Sequence, residues 1–327
     1  MTDSSGNASG GPPGLLAVGE ALRPGHWIKN AFVLAAVVFS GRFDERLAWG
    51  VALAAAAAFC LLSSGTYLIN DVIDRRRDAM HPIKRMRPVA SGRLSVGAAL
   101  VAGGVCYLGG LGLAGALTVR TVAMDLPLGG MGLLFWSGCY VVLSVLYSLW
   151  LKAHAIVDVI VIALGFVLRA MAGASAIAAP ISPWLVVCTF TLCLFIALTK
   201  RRSELATGTV AEASSARPAH RGYTRDDIEH MLTVATALAI LTYSLYCLAP
   251  RTVVRLGSAH LIWTIPLVVY GLFRYNRVTR RTSAEPVTVL LADRVMWAVV
   301  AMYVVIAASV IRYGSLPAVR DVLDIRP

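Results

Sequence analysis

Charged residues are scarce in this chain. Only 15% of its 327 residues are Asp, Glu, Lys or Arg, whereas 57% are hydrophobic. A soluble domain ordinarily carries about 25% charged residues, so this composition excludes a single soluble core of this size. A bilayer accounts for it, because crossing about 30 Å of hydrocarbon takes runs of about 20 apolar residues. Such runs recur along nearly the whole chain.

Disulfide, zinc and signal-peptide patterns are also missing. The six cysteines all lie inside apolar runs, where a thiol usually behaves as a small hydrophobic group. The six histidines are scattered without metal-ligand spacing, and none is expected to bind a metal. The segment before residue 20 contains GNASGGPPG and lacks an apolar core, so residues 1–20 are predicted to be a disordered tail.

Nine apolar runs predict an all-α protein that crosses the membrane repeatedly. They lie near residues 27–41, 47–69, 95–118, 128–150, 155–178, 183–199, 229–249, 258–273 and 294–312. The first run is short and is flanked by Trp27 and Lys29, so an interfacial or tilted helix is the alternative for it. Residues 21–313 are predicted to form one membrane domain, followed by an outer tail at 314–327.

Basic residues predict the orientation. Most of the 30 Lys and Arg residues fall near the N-terminus and in alternate loops, which lie at about 70–94, 151–154, 200–228 and 274–294. By the positive-inside rule these loops face the cytoplasm. The chain is therefore predicted to lie in the plasma membrane with its N-terminus inside and its C-terminus outside. Nucleic acid is not an expected partner, because the basic residues are divided among membrane-bounded loops.

Four oxygen-bearing side chains lie at the end of the second predicted span and just after it, in YLINDVIDRRRDAMHPIKRMRP. On a helix of 100° per residue, Asn70, Asp71, Asp74 and Asp78 occupy one arc of about 100°. Carboxylates on one face repel one another unless a cation lies between them. Mg²⁺, with Mn²⁺ as a substitute, is a hard ion that a few carboxylates and a substrate phosphate can complete. All four side chains are therefore candidates to surround a divalent cation.

Basic residues follow this acidic group at once. Lys84, Arg85 and Arg87 lie within a Pro-bounded turn, and acidic metal ligands beside a basic clamp suit a diphosphate leaving group. The alternative is a solvated helix end in which the aspartates pair with the adjacent RRR run.

A second cluster lies between the fourth and fifth predicted spans, in YSLWLKAHAIVDVIVIALGFVLRAMAGA. Tyr147 ends one helix, Lys152 occupies the turn, and Asp158 begins the next helix. Arg169 shares a helical stripe with Asp158 and lies about 16 Å farther along the axis. An intramembrane arginine is a functional candidate by default, and pairing with helix carbonyls is its alternative. Ordinary positive-inside charge is the alternative for Lys152.

A third cluster is the KRRSEL segment that begins at Lys200. Lys200 and Arg201 are candidates for an anion pocket, and anchoring of the sixth span at the interface is the alternative. Lys29, near the start, is a candidate of the same kind.

Two of these patterns resemble known motifs. The N-D-x-x-D-x-x-x-D run from Asn70 to Asp78 is similar to the first motif of the UbiA-type intramembrane prenyltransferases. The Y-x-x-x-x-K-x-x-x-x-x-D run from Tyr147 to Asp158 resembles their second motif. The resemblance extends from about Leu22 to Arg312. It implies a bundle of nine transmembrane helices around a cytoplasmic-side active-site cavity that opens laterally to lipid.

Within that family, LRPGHWIKNAFV, HPIKRMRPVASG and YSLWLK are similar to an actinobacterial branch. Its members transfer a 5-phosphoribosyl group from phosphoribosyl diphosphate to decaprenyl phosphate, a step toward lipid-linked arabinose for cell-wall arabinan. The resemblance thus implies a phosphoribosyltransferase whose substrates are phosphoribosyl diphosphate and a polyprenyl phosphate. Ile162 stands where quinone-type prenyltransferases usually carry a second acid, which argues against a second full Mg²⁺ site.

The resemblance also implies roles for the candidate residues. The metal ligands are Asn70, Asp74 and Asp78. The catalytic set is Asp74, Asp78, Tyr147, Lys152 and Asp158. The substrate-binding set is Lys29, Asn70, Asp71, Lys84, Arg85, Arg87, Arg169, Lys200 and Arg201.

Other functions stay open at this point. A prenyl-diphosphate transferase acting on an aromatic or quinone precursor keeps the fold and the metal but exchanges donor and acceptor. A transporter is a different class, although polar clusters on one side and no evident internal repeat argue against it. A scaffold without chemistry is a third class, and a homo-oligomer is compatible with all of them.

Overall fold

The computed structural model describes residues 14–42, 44–123, 132–180, 183–206, 222–281 and 292–313. These residues form twelve α-helices and no β-strand, which confirms the all-α prediction. The helices are α1 Gly14–Ala21, α2 Ala31–Phe39, α3 Arg46–Ile73, α4 Arg75–Ala79, α5 Val96–Ala123, α6 Gly132–Leu149, α7 Val157–Ala176, α8 Pro183–Ala206, α9 Arg225–Leu248, α10 Pro250–Leu256, α11 Ile265–Arg281 and α12 Arg294–Tyr313.

Six of the described helices, α3, α5, α6, α7, α9 and α12, are long and apolar enough to cross a membrane. The chain is therefore a multi-pass membrane protein. The 24 residues of α8 extend about 36 Å, whereas the nine of α2 extend only about 14 Å. Helix α2 corresponds to the first predicted span, and its short length agrees with the alternative of an interfacial helix. A 3₁₀ turn at Pro24–Asn30 precedes α2, and Gly41 (φ +71°) follows it.

Part of the predicted disordered tail is helical. Helix α1 begins at Gly14, and its Ala17 and Ala21 are buried. They pack in one apolar cluster with Leu68 of α3 and Val89 of the loop after α4. Burial of this apolar face against the domain orders a segment that composition alone marks as tail. Residues 1–13 and the predicted outer tail at 314–327 lie outside the described residues.

Two helices extend into predicted loops. Helix α8 continues to Ala206, so Lys200 and Arg201 lie on a helix instead of in a loop. Helix α11 runs to Arg281, beyond the predicted end at residue 273. The reason is that polar residues in these last turns find interior partners: Arg202 Nη1 donates to Asn276 Oδ1 at 2.6 Å. The middles of these loops, at 207–221 and 282–291, lie outside the described residues.

Glycines permit the closest helix crossings. A Cβ added to Gly65 of α3 would lie 3.0 Å from the carbonyl oxygen of Gly103 on α5. A Cβ added to Gly173 of α7 would lie 1.9 Å from the carbonyl oxygen of Val33 on α2. Small residues at such crossings let helix backbones approach closely in membrane proteins. The second crossing holds short α2 against the centre of the bundle.

Apolar side chains also cover the outside of the bundle. On α5, Val101, Leu108 and Val119 are 69%, 75% and 68% exposed. Large apolar surfaces of this kind mark an interaction with membrane or protein, and on a helix of membrane-spanning length they face lipid. The interior keeps the polar groups described next.

Candidate active site

The acidic residues lie where α3 bends into α4. Asp74 separates the two helices, with φ −87° and ψ 1°. Its backbone N–H still donates to Asn70 O at 2.9 Å, and that of Asp78 donates to Asp74 O at 2.8 Å. The helical path therefore nearly continues through the bend. Asp71, Asp74 and Asp78 are all buried, with exposures of 1%, 7% and 4%.

Lys152 joins this group from the turn after α6. Its Nζ donates to Asn70 Oδ1 at 3.0 Å and to the two oxygens of Asp74 at 2.7 and 2.8 Å. A 3₁₀ turn at Leu151–Ala153 carries the side chain, which is buried. An unpaired buried charge is costly, so the two oppositely charged groups stabilise each other. This contact brings together residues of the two sequence motifs.

Arg87 and Arg23 pair with the other two aspartates. Arg87 Nη1 lies 3.2 Å from Asp71 Oδ1 and 2.6 Å from Asp78 Oδ2. Arg23 Nη2 lies 2.5 Å from the same Asp71 oxygen, and its guanidinium stacks over Tyr67 at 4.8 Å. The second oxygen of Asp71, Oδ2, is buried without a hydrogen-bond partner. A buried, unsatisfied carboxylate oxygen is a position where an additional donor or cation is favoured.

Asp158 is held from two sides at the start of α7. Tyr223 Oη donates to Asp158 Oδ1 at 2.7 Å, and Arg201 Nε lies 2.7 Å from Asp158 Oδ2. Tyr223 Oη also accepts the backbone N–H of Ile156 at 2.6 Å, in a turn where Ile156 has φ +67°. Burial and the contact with Asp158 raise the pKa of Tyr223. Its phenol thus stays protonated and donates at neutral pH.

Arg201 connects this carboxylate to Tyr147. Its side chain is 2% exposed, its Nη1 pairs with Glu204, and its Nη2 lies 3.4 Å from Tyr147 Oη. The second motif therefore divides between two groups. Lys152 contacts Asn70 and Asp74, while Tyr147 and Asp158 share Arg201.

A cavity of about 1130 Å³ lies beside both groups. At one end its wall includes Arg23, Lys29, Asn70, Arg87, Tyr147, Lys200 and Arg201. It then follows α8, which advances about 24 Å between the lining residues Trp184 and Lys200. The far end includes Arg42 and Arg251. One elongated chamber thus joins a basic end to a largely apolar interior.

Arg169 lies in the wall of the middle of this cavity. Its Nε donates to Asn30 Oδ1 at 2.8 Å, Nη1 to Gly165 O at 2.8 Å and Nη2 to Tyr140 Oη at 2.9 Å. The guanidinium also stacks over the rings of Tyr140 and Phe166, at 4.5 and 5.2 Å. These contacts join α6 and α7 to the 3₁₀ turn before α2, and the Gly165 contact agrees with the carbonyl-pairing alternative.

The predicted basic turn after α4 is only partly drawn into the site. Arg87 contacts the aspartates, whereas Arg85 is exposed and Lys84 is half-buried. His81 shapes the turn, because its Nδ1 accepts the backbone N–H groups of Ile83 and Lys84 at 3.2 and 3.3 Å. Burial and the nearby Lys84 ammonium lower the pKa of His81, which favours the neutral ring that accepts these bonds.

Two residues of the site were not among the sequence candidates. Arg23 stands in the quoted LRPGHWIKN segment, where it counted only as a positive charge. Tyr223 precedes a capping box in which Thr224 and Asp227 exchange hydrogen bonds at the start of α9. That box is visible in the sequence, but the contact of Tyr223 with Asp158, 65 positions away, is not.

The oxygens present suit a hard divalent cation. Asn70 Oδ1 and both Asp74 oxygens converge on one cationic atom, Lys152 Nζ, so they already define a cation position. Asp71 Oδ2 is a further buried acceptor. Across the part of the chain that is described, no three His, Cys, Asp or Glu side chains are grouped closely enough to hold a metal by themselves. Mg²⁺ commonly takes one or two carboxylates and completes its shell with water and phosphate, which fits this donor set.

Known structures share this architecture. A UbiA homolog from Archaeoglobus fulgidus, bound to GPP and Mg²⁺, matches with a TM-score of 0.62 and 20% sequence identity. The match covers 93% of this chain and 99% of that chain. The helical bundle is therefore the fold of an intramembrane UbiA-type protein.

The chain belongs to the UbiA prenyltransferase family, whose model matches residues 31–300. It is thus a transferase, and the resemblance carried by the two motifs is confirmed. A decaprenyl-phosphate phosphoribosyltransferase of Corynebacterium glutamicum is 32% identical over 295 residues, covering 87% of this chain and 84% of the relative. One of Mycolicibacterium smegmatis is 31% identical over 302 residues, covering 88% and 90%.

Proposed function

We propose that the chain transfers a 5-phosphoribosyl group from phosphoribosyl diphosphate to a polyprenyl phosphate. The observation that carries this is the balanced group of carboxylates and cations around Asn70 at the basic end of a long apolar cavity. The basic end suits the charge of a diphosphate donor, and the apolar part of the cavity suits the hydrocarbon chain of a lipid acceptor. The two relatives named above are decaprenyl-phosphate phosphoribosyltransferases, which supports this choice of substrates.

A divalent cation held by Asn70, Asp74 and Asp78 would neutralise charge on the departing diphosphate. The A. fulgidus homolog binds Mg²⁺, which supports Mg²⁺ in this role. Arg87 and Arg23, which line the cavity, would hold the outer phosphates, with Lys84, Arg85, Lys200 and Arg201 in support. Asp71 orients Arg87 through its 3.2 Å contact.

The reaction breaks the bond from ribose C1 to the diphosphate oxygen and forms a bond from C1 to a lipid phosphate oxygen. Charge on the sugar becomes positive as the first bond breaks, and the hydroxyl of Tyr147 and the carboxylate of Asp158 are candidates to face it. Lys29 and Arg169, which line the cavity, would position the lipid phosphate on the opposite face, so that C1 inverts, while Lys152 stays on the side of the diphosphate. A phosphate monoester has a second pKa of about 6 and needs no strong base. Positioning and charge neutralisation therefore supply most of the rate.

The lipid acceptor would enter the cavity sideways from the bilayer, with the reacting end on the cytoplasmic side of the plasma membrane. The clustering of basic residues in the loops beside this end supports that orientation. The product of the proposed reaction is a polyprenylphosphoryl-5-phosphoribose, a lipid-linked precursor for cell-wall arabinan.

The test is a labelled-substrate assay on membranes that contain the chain. Labelled phosphoribosyl diphosphate and a polyprenyl phosphate are supplied with and without Mg²⁺, and a Mg²⁺-dependent labelled lipid is expected. Asp74→Ala should abolish the product. Asp226→Ala, which removes an exposed carboxylate from the start of α9, should leave it unchanged. No labelled lipid from the unaltered chain would refute the proposal.

The rival is prenyl transfer to an aromatic acceptor. It is favoured by the A. fulgidus homolog, which binds GPP. Labelled prenyl diphosphate with an aromatic acceptor forms the second arm of the same assay. Product in that arm alone would replace the proposed reaction.

A further inference from the structure

The three carboxylates around the bend from α3 into α4 already have cationic partners. Asp71 contacts Arg23 and Arg87, and Asp78 contacts Arg87. Asp74 contacts Lys152 at 2.7 Å, with Arg77 Nη1 at 3.5 Å from the same oxygen, Oδ1. A free divalent cation that entered this group would add two positive charges to an arrangement that is close to neutral. Its binding would therefore require that a cation leave or that further anions arrive.

Lys152 lies on the oxygens that the proposed metal needs. A Mg²⁺ ion binds oxygen at about 2.1 Å, whereas Lys152 Nζ lies 2.7 to 3.0 Å from Asn70 Oδ1 and the two Asp74 oxygens. A metal bound to those oxygens would lie within contact distance of the ammonium, and repulsion between the two charges would be strong in this buried place. Lys152 and the metal thus exclude each other from one position.

The lysine is suited to exchange partners. It stands on a short 3₁₀ turn between α6 and α7, and its flexible four-carbon stem lets an ammonium reach several positions. The neighbouring cavity wall includes Asn70 and Arg87, so a diphosphate at this wall lies close to the displaced ammonium. A diphosphate that arrives with the metal brings the anions that the displaced Lys152 requires.

We propose that the Lys152 ammonium occupies the cation position beside Asn70 and Asp74 until a metal ion and a diphosphate bind together. The metal then replaces the ammonium at these oxygens, and the displaced ammonium pairs with the phosphates of the diphosphate. The inference rests on the proposed function for the metal position. It gives the site a selectivity: the metal–diphosphate complex binds as a unit, and the free metal binds poorly. Lys152 thus has two roles: it neutralises Asp74 when no metal is bound, and it binds the phosphates when the metal is present.

Retention of radioactive Mn²⁺ by the purified full-length chain in nanodiscs tests this without any turnover. The unaltered protein should retain little Mn²⁺ alone, and inorganic diphosphate should increase retention at least about tenfold. Lys152→Met should bind Mn²⁺ alone about tenfold more tightly than the unaltered chain, and diphosphate should then add little. Arg93→Met, which removes one positive charge paired with Glu20 in the loop after α4, should behave as the unaltered chain does.

Two further variants keep the test decisive. Lys152→Gln retains hydrogen-bond donors without the charge, so it should reproduce the tighter binding of Mn²⁺ alone even if Lys152→Met folds poorly. Asp74→Asn should lose retention with and without diphosphate. Equal retention of Mn²⁺ alone by the unaltered chain and by Lys152→Gln would overturn the proposal. Retention that follows the expected pattern without any phosphoribosyl transfer would remove the proposed reaction and leave the exchange intact.

Discussion

The crossing of α2 and α7 provides the sharpest prediction of stability. A Cβ added to Gly173 would lie 1.9 Å from Val33 O, 2.8 Å from Val33 C and 3.0 Å from Val33 Cα. Ordinary van der Waals contact begins at about 3.4 Å, so Gly173→Ala forces the two backbones apart by about 1.5 Å. A backbone atom cannot rotate out of the way, as a side chain can.

We expect Gly173→Ala to destabilise the fold by about 3 kcal/mol, at the upper end of the usual cost of overpacking. The displacement would also move α2 relative to Arg169, whose Nε donates to Asn30 Oδ1 just before α2. The thermal midpoint in detergent, followed by fluorescence-detected size exclusion, should fall by roughly 5 °C or more.

The matched control is Gly104→Ala on α5. A Cβ added there has no atom within 4 Å, and alanine is the better helix former, so the midpoint should stay the same or rise slightly. Equal midpoints for the two variants would refute the close crossing of α2 and α7.

Three further predictions concern buried hydroxyls. The same thermal assay measures their effects on stability, and the labelled-substrate assay measures the effect on transfer. Tyr223→Phe removes the donor to Asp158 and the acceptor of the Ile156 N–H, so it should cost about 2–4 kcal/mol and slow transfer about tenfold. Because burial raises the pKa of Tyr223, the folded chain keeps a proton that the unfolded chain releases above about pH 10. Stability should therefore fall as pH rises above that value. The fall should be less steep in Tyr223→Phe, which lacks the titrating hydroxyl. Tyr140→Phe leaves an Arg169 N–H without its acceptor and should cost about 1.5–3 kcal/mol, whereas Tyr270→Phe, at a site 47% exposed, should cost little. A flat pH response, or equal midpoints for Tyr140→Phe and Tyr270→Phe, would contradict these assignments.

The sequence predicts local features of this site well. Apolar run length predicts the long helices, because the bilayer fixes the number of residues that each crossing needs. The spacing of Asn70, Asp71, Asp74 and Asp78 predicts one helical arc, and the structure keeps the helical path almost unbroken through Asp74. These inferences succeed because they depend only on helix geometry.

Pairings between distant segments are beyond that reasoning. Lys152 meets Asn70 across 82 positions, and Tyr223 meets Asp158 across 65, so both contacts depend on how the helices assemble. In sequence Arg201 is a candidate for an anion pocket, with interfacial anchoring as the alternative, but its buried partners, two carboxylates and Tyr147, cannot be named from sequence. Charge alone does not distinguish a lysine or arginine that faces the lipid headgroups from one that closes a buried network.

The pairing of Asp71, Asp74 and Asp78 with cations has a consequence for the rate at which substrate arrives. Compensated charges produce little field beyond their immediate neighbours, so this group would attract the proposed diphosphate donor only weakly from solution. Arg75, Arg76 and Arg85 are exposed close by along the chain, and exposed charges act over a Debye length of about 8 Å at physiological ionic strength. Steering of the proposed anionic donor would thus fall to these arginines, and added salt should slow its association more than its dissociation.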